Sequence, residues 1–325
     1  MESASPQRRH LLGGAANRTE TAVDCGGAIA GVRRPVMIVV DKREACRKAC
    51  NEARSSGSLG FVPTMGYLHG GHHALLEVGR RKTDVLVVSI FVNPTQFGPG
   101  EDLSSYPRNL EGDLDLCRRA GVDIVFTPSN GELYPPGFQT WVDVDEVTSL
   151  HCGASRDGHF RGVTTVVTKL FNIVRPDLAV FGEKDYQQLV TIRRMVEDLN
   201  MGIEIVGAPT VRESDGLAVS SRNTKLGPSA RRRAACLIAG IRATQEAYAR
   251  GERRADSLVS VCKAKIEADA DEMDYVHLAE PLSLKPLEGD EDAAPETRIM
   301  VAAFLDSASG RVRLIDNEPL VAKRR

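Results

Sequence analysis

The sequence predicts an α/β protein: a Rossmann-like, doubly wound parallel sheet domain with a smaller C-terminal α+β domain. Three observations carry that expectation. From Pro35 onward, short β-branched runs alternate with amphipathic stretches of helical period, the pattern of a parallel sheet wrapped by helices. After Pro209 the texture changes to two helices followed by strand-like runs. The 325 residues, 42% of them hydrophobic, exceed the size at which one core tends to split. The expected boundaries are an extension over 1–34, the doubly wound domain over 35–209, and the smaller domain over 210–325, which closes over the site.

Residues 1–34 are rich in Ser, Ala, Gly and Arg, show neither helix nor strand period, and read as disordered. Strands are expected at 36–40, 59–62, 85–92, 123–126, 178–181 and 203–206, with helices between them at 42–54, 75–82, 110–120, 163–174 and 186–199. In the second domain the pattern predicts helices at 230–250 and 256–268, then strands at 275–278, 299–305 and 312–315. The acidic stretch 288–296 reads as a solvated loop.

Composition excludes several classes of function. Lys+Arg 42 against Asp+Glu 44 leave a formal net charge of -2, so no nucleic-acid partner is expected. The longest apolar runs, such as 85–92, fall far short of the ~20 residues of a membrane-spanning helix, so no membrane partner is expected. Seven cysteines without the close pairs of a zinc site, and without an apolar leader before them, read as reduced packing thiols. Cys46 and Cys50 share helical spacing, but no second pair or nearby histidine completes a metal set. The cytoplasm is the expected location. Arg8, Arg9 and Arg18 leave organellar targeting open, although Glu2, Glu20 and Asp24 dilute the acid-poor character of a transit peptide.

Four segments carry candidate chemistry. The strand ending near Val62 runs into Met65, Gly66, Tyr67, Leu68, His69, Gly70, Gly71 and His72, after which a helix begins. A strand, a glycine-bearing turn and a helix N-terminus suit a phosphate, because unpaired N–H groups and the helix dipole face the anion. His69 and His72 fall on one turn, able to donate to phosphate oxygens. The buried strand before Asn93 and Pro94 leaves Gln96 at its carboxyl end, where an amide can both donate and accept. A third strand ends at Phe181, and Gly182, Glu183, Lys184 and Asp185 open a helix with Gln187 and Gln188 in its first turn. Lys184 suits a phosphate, and Asp185 a magnesium ion or a ribose. Near the domain junction, Val211 and then Val219, Ser220, Ser221 and Arg222 offer two hydroxyls and a guanidinium as a clamp for a triphosphate tail. Taken singly, each set reads equally as helix caps and solvated turns; their shared placement at strand ends favours a site.

The His-x-Gly-His signature resembles that of the nucleotidyltransferase superfamily. In order, PTMGYLHGGH, VSIFVNPTQF, SYPRN, HFRGVTTVVTKLFNIVRPDLAVFGEKDYQQL, PTVRESDGLAVSSRN and IMVAAFL closely resemble the pantothenate synthetase (pantoate-beta-alanine ligase) family, over about residues 36–317. The resemblance implies an enzyme that condenses pantoate with β-alanine, using ATP and Mg2+, to give pantothenate, AMP and pyrophosphate through a pantoyl adenylate. It implies ATP contacts at Met65 to His72, Gly182 to Asp185, Val211, and Val219 to Arg222, with His72 as proton donor and His69, Lys184 and Arg222 beside it. It also implies pantoate at Gln96 and Gln188, β-alanine at Gln96, and Asn93, Arg156 and His159 lining the same region. Tyr106 falls on a segment that covers the site in the family. A homodimer is the family expectation. His72, Lys184 and Arg222 together are expected to supply positive charge to the reaction.

Departures from the family pattern are Gly70 where glutamate is usual, His73 after the motif, Val219 for methionine, Asp157 for proline, and Gly112 where an acidic residue is common. The last leaves Asp113, with Asp185, as the expected metal ligands. Two other readings use the same features. One is an enzyme of the superfamily with another acceptor, including a nucleotidyltransferase or an aminoacyl-tRNA synthetase. No basic anticodon module supports it. The other is a non-catalytic ATP-binding protein, against which stand the retained His72, Lys184 and Arg222.

Overall fold

The computed structural model describes residues 36–321, so the expected extension over 1–34 lies outside the described residues. Six strands, β1 (Ile38–Val40), β2 (Leu59–Thr64), β3 (Val85–Ile90), β4 (Ile124–Phe126), β5 (Leu178–Gly182) and β6 (Glu204–Ala208), form a sheet in the order β1-β4-β3-β2-β5-β6. Every pairing in it is parallel. Helices α1 (Arg43–Ala53), α2 (Gly70–Lys82), α3 (Leu110–Arg119), α4 (Asn130–Leu133), α5 (His151–Ser155), α6 (His159–Val174) and α7 (Tyr186–Asp198) run between and beside the strands.

Side chains alternate with the period of two that a strand imposes, and both faces are covered. Leu59, Phe61, Val85, Val87, Ile124, Phe126, Ala179 and Phe181 pack with Cys46 and Cys50 of α1 and with the apolar stripes of α6 and α7. Val62, Leu86, Val88, Val125 and Val180 pack on the other side with Leu76 of α2 and Cys117 of α3. Complete burial of Leu59, Phe61 or Phe126 contributes roughly 1.5–3 kcal/mol each. β3 and β4 lie on one side of β2, β5 and β6 on the other. The order therefore reverses at the β2–β5 junction, and a crevice opens beyond the carboxyl ends of those strands, where open α/β sheets bind ligands.

The second part holds α8 (Pro228–Arg233), α9 (Cys236–Ala249) and α10 (Ala255–Glu267), followed by β7 (Glu272–Ala279), β8 (Arg298–Ser307) and β9 (Gly310–Pro319) in an antiparallel sheet. Val276, Leu278, Ile299, Val301, Ala303, Val312 and Leu314 form a separate core with Leu237 and Ile241 of α9 and Leu258 and Ile266 of α10.

The structure shifts several expected limits. The helix expected at 230–250 is two helices, broken at Ala234 and Ala235. α2 starts at Gly70 rather than near 75, because its two opening glycines, poor helix formers, are held by caps from His69 and His72. α6 starts at His159 rather than near 163, directly after Gly158 in the left-handed region at φ 72°. Among the described residues no helix is long and apolar enough to cross a membrane, and the cysteines there are free and buried.

Candidate active site

The turn after β2 is held from beneath. Gly66 and Tyr67 both have positive φ, 82° and 52°, a conformation that costs little at glycine and needs support at tyrosine. Asp113 of α3 supplies it: one carboxylate oxygen accepts from the Tyr67 amide at 2.9 Å and the other from the Leu68 amide at 2.6 Å. A Cβ on Gly66 would stand 3.0 Å from that carboxylate, so glycine is needed for the approach.

His69 is the N-cap of α2 and His72 its third residue, and the two rings form a reciprocal capping box. His69 Nδ1 accepts from the Gly71 amide at 3.2 Å, and His72 Nδ1 accepts from the His69 amide at 3.3 Å. Each Nδ1 is an acceptor, so the proton of each neutral ring lies on Nε2. The ring centroids are 4.1 Å apart. Burial, followed by the nearby Lys184 ammonium, lowers His69 to about 4; burial, followed by His69, lowers His72 to about 3. Against the expected positive charge on His72, both rings of the ligand-free protein are neutral near pH 7, each with its N–H on Nε2.

At the end of β3, Asn93 is buried and spends its side chain on the protein. Its Nδ2 donates to Gln96 Oε1 and to the Gly162 carbonyl, both at 3.1 Å, and its Oδ1 accepts from the Tyr134 hydroxyl at 3.0 Å and Thr95 Oγ1 at 2.9 Å. Asn93 therefore orients Gln96. The Gln96 Nε2 meets the Met65 sulfur at 3.1 Å, a weak acceptor that a carboxylate or hydroxyl can readily replace. The Gln96 carbonyl accepts from His159 Nδ1 at 2.8 Å, and Arg156 Nη1 donates to His159 Nε2 at 2.9 Å. That pairing requires a neutral His159, and burial together with the Arg156 charge lowers it to about 4. Arg156 in turn holds Glu101 through two hydrogen bonds of 2.7 and 2.6 Å.

Beyond β5, the turn bearing Lys184 is fastened by β9. Asn317 Nδ2 donates to the Glu183 and Lys184 carbonyls at 3.0 and 2.8 Å. Arg298 holds the Asn317 side-chain oxygen, reaches Glu183 Oε2 at 3.3 Å, and stacks over Tyr186 at 3.6 Å. Lys184 Nζ lies 3.7 Å from Asp185 Oδ1. The protein around the half-exposed Asp185 carboxyl opposes its ionisation, but Lys184 and Arg222 outweigh this and hold it below the usual carboxylate range.

The segment from Val211 to Arg222 folds back on itself, with the Val219 amide donating to the Val211 carbonyl at 2.9 Å. Arg212 ties it to β9 through Asp316 and Glu318, both at 2.7 Å. Ser220 Oγ accepts from the Arg222 amide at 3.3 Å, and Ser221 Oγ lies 3.5 Å from the Tyr106 hydroxyl.

Most of the expected residues meet on one cavity of about 240 Å³: Met65, Gly71 and both histidines from the first turn, Asn93 and Gln96, Tyr106, Arg156 and His159, Gly182, Lys184, Asp185 and Gln188, and Val211 with Val219 to Arg222. A larger cleft of about 820 Å³ adjoins it, sharing Arg156, His159, Lys184, Asp185, Gln188, Ser220 and Arg222.

A family profile described as pantoate-beta-alanine ligase matches residues 38–319. The chain belongs to the pantoate-beta-alanine ligase family. The pantothenate synthetase of Citrifermentans bemidjiense is 49% identical over 285 residues, 87% of this chain and 99% of the relative. That of Myxococcus xanthus is 52% identical over 268 residues, 82% and 90% of the two chains. The crystal structure of pantothenate synthetase from Thermus thermophilus, 45% identical, matches with a TM-score of 0.82 over 88% of this chain and all (100%) of that one. The pantoate-beta-alanine ligase of Francisella tularensis, complexed with beta-gamma ATP and beta-alanine, is 32% identical with a TM-score of 0.70, over 88% and 98% of the two chains. The resemblance read from the ordered sequence blocks is borne out, as is the fold class.

In this pantoate-beta-alanine ligase, several expected contacts lie off the cavity wall. The Tyr67 and Leu68 amides are taken by Asp113, Gly66 and Gly70 shape the backbone, and the Glu183 carboxylate is turned to Arg298. Asp113 is the main correction: it is 3% exposed, both its oxygens serve backbone amides, and it lines neither cavity, so it positions the turn and does not fit a metal ion. Asp185, half-exposed on the wall, does fit a magnesium ion brought in on phosphates, the usual mode for that cation. Among the described residues no three His, Cys, Asp or Glu side chains converge as a ready-made metal site. Replacing Asp113 with asparagine swaps one acceptor for an N–H pair facing a backbone N–H. The expected result is an acid-activation step slowed roughly 10- to 150-fold, from the ~1.5–3 kcal/mol of a hydrogen bond to a charged group, with unchanged Mg2+ dependence. A shifted Mg2+ requirement, read by titrating the metal at saturating substrates, would return Asp113 to the metal.

Sequence reasoning missed Asn317, Gly162, and the pair Glu101 and Asp102. For Asn317 a signal was present, since Asp316 and Asn317 interrupt the apolar alternation of β9 at a point where both are buried.

Proposed function

We propose that this ligase binds ATP in the 240 Å³ cavity, with its phosphates against the α2 N-terminus, Lys184 and Arg222, and joins pantoate to β-alanine in two steps. The observation that carries the reading is the convergence on that one cavity of two neutral imidazole N–H donors, two cationic side chains and the Gln96 amide at the switch point of the sheet. The pantoate carboxylate is already a nucleophile. Gln96 and Gln188 hold it in line with the α-phosphorus, so positioning replaces general-base chemistry. Its oxygen attacks, the bond to the β-phosphate oxygen breaks, and pantoyl adenylate and pyrophosphate result.

His69 and His72 donate from Nε2 to the phosphate oxygens, while Lys184 and Arg222 take up the negative charge of the departing pyrophosphate. Asp185 would hold a magnesium ion carried on the triphosphate, which supplies further neutralisation of that leaving group. In the second step the free amine of β-alanine attacks the acyl carbon, the bond to the AMP phosphate oxygen breaks, and the amine proton passes to the departing phosphate or to solvent, giving pantothenate and AMP. The wall histidines do not serve as its base, because their unprotonated nitrogens already accept from Gly71, His69 and Arg156. The part from residue 210 onward closes over the site and the enzyme works in the cytoplasm, as the sequence pattern suggests, and as a homodimer, as the family resemblance implies.

ATP–pyrophosphate exchange tests the reading. Exchange that requires pantoate, proceeds without β-alanine and fails with unrelated acids is the expected result. A folded, ATP-binding preparation that shows no exchange with pantoate would overturn it.

A further inference from the structure

The loop between Phe97 and Leu110 crosses the boundary of the two cavities, and two adjacent carboxylates hold it there. Glu101 takes the Arg156 guanidinium in a two-point contact of 2.7 and 2.6 Å. Asp102 points the other way, where one oxygen accepts from Arg222 Nη2 at 3.3 Å and the other from Lys225 Nζ at 2.8 Å. Neither Leu103 nor Tyr106 belongs to any of the three hydrophobic cores. Tyr106 is buried in the cleft against the Phe97 ring, at 5.8 Å, and beside the Ser221 hydroxyl. Ion pairs fasten the loop beside that aromatic contact, and the cations they use face the cavity into which an anionic substrate must come.

We infer that Asp102 is an affinity-setting residue: its carboxylate occupies Arg222 and Lys225 when no nucleotide is bound, and a polyphosphate must displace it to reach them. This rests on the reading of Arg222 as a triphosphate contact. The Asp102–Arg222 bond is long and engages one of the five guanidinium donors, so it yields readily to a phosphate, which offers several acceptor oxygens. Lys225, a point charge, follows the same exchange. Asp102 thus trades ATP affinity for a covered, neutralised site in the absence of nucleotide. Its effect grows with the number of phosphates, because only the distal ones compete for the pair.

The test is calorimetric binding of ATP, ADP and AMP to the whole enzyme and to three variants. Asp102→Asn is expected to tighten ATP about fivefold to tenfold, ADP less and AMP not at all. Asp102→Glu should restore wild-type affinity. Arg222→Ala should weaken ATP at least tenfold. Weaker or unchanged ATP binding by Asp102→Asn, with the thermal midpoint retained, would show that Asp102 orients Arg222 or does nothing, and would overturn the inference. Equal tightening of ATP and AMP would also overturn it, since a general loosening of the loop gives no dependence on phosphate number. If Arg222→Ala leaves ATP affinity unchanged, the assignment of Arg222 fails instead.

Discussion

Replacing His72 with alanine is expected to slow adenylate formation by about 100- to 1,000-fold, the usual cost of one donor to developing charge, while leaving the protein folded. The ring does two things at once. Its Nδ1 caps the His69 amide, and the ring lines the cavity with its N–H left on Nε2. His72→Gln separates them, because glutamine at the third position of a helix can reach back to the N-cap amide as the imidazole does. Loss of rate in both variants, read by rapid-quench single turnovers with pantoate and ATP, assigns the effect to the Nε2 donor. A glutamine variant with wild-type rates would assign it to the cap. The neutral pair has a visible consequence in the ligand-free enzyme: by NMR neither ring should gain a proton until the pH falls toward about 4 for His69 and about 3 for His72. Burial puts both folded values below the unfolded value near 6.5. The stability these rings contribute is therefore complete above pH 6.5 and lost as the pH drops from there to about 4 for His69 and about 3 for His72, a range in which the unfolded chain takes up protons that the folded site refuses.

The sheet was legible because its strands are buried on both faces, which turns β2, β3 and β5 into largely apolar runs closed by Pro, Asn or Gly. The residues at those strand ends were legible for the same reason, since a parallel sheet brings all its carboxyl ends to one edge. Arrangements that depend on distant contacts could not be read. Asp113 stands 46 residues from Tyr67, and its acidic character suggested a metal until its two oxygens were found on backbone amides. Asn317 fastens a turn 133 residues before it. The starts of α2 and α6 were obscured because the glycines at 70, 71 and 158 carry the signature of a turn, and tertiary caps override it. Charge was the least legible property, because burial and neighbours alter it without changing the residue: a histidine pair facing phosphate suggests cations, and this one is neutral.

Gly162→Ala is expected to lower kcat/KM for pantoate by about 100-fold, since a shift near 1 Å of a positioning group costs that much, while ATP affinity is retained. A Cβ at this position of α6 would stand 2.4 Å from the Thr95 carbonyl oxygen, 2.6 Å from its carbon and 2.7 Å from the Gln96 amide nitrogen. These are backbone atoms of the turn that carries Gln96, so no side chain can rotate away; either α6 or the turn must move. Movement breaks the Asn93 bond to the Gly162 carbonyl and the His159 bond to the Gln96 carbonyl together, and Gln96 loses both the partners that aim it. The His69–His72 turn and Lys184 stand on other strands, which is why nucleotide binding should survive. Gly158→Ala provides the contrast. Its Cβ would meet nothing within 4 Å, but its φ of 72° would cost about 1 kcal/mol in a left-handed alanine, so it should lower the thermal midpoint with a smaller effect on pantoate. If the two variants instead show equal losses in pantoate kinetics, strain at the start of α6, and not the contact at Gly162, is what places Gln96.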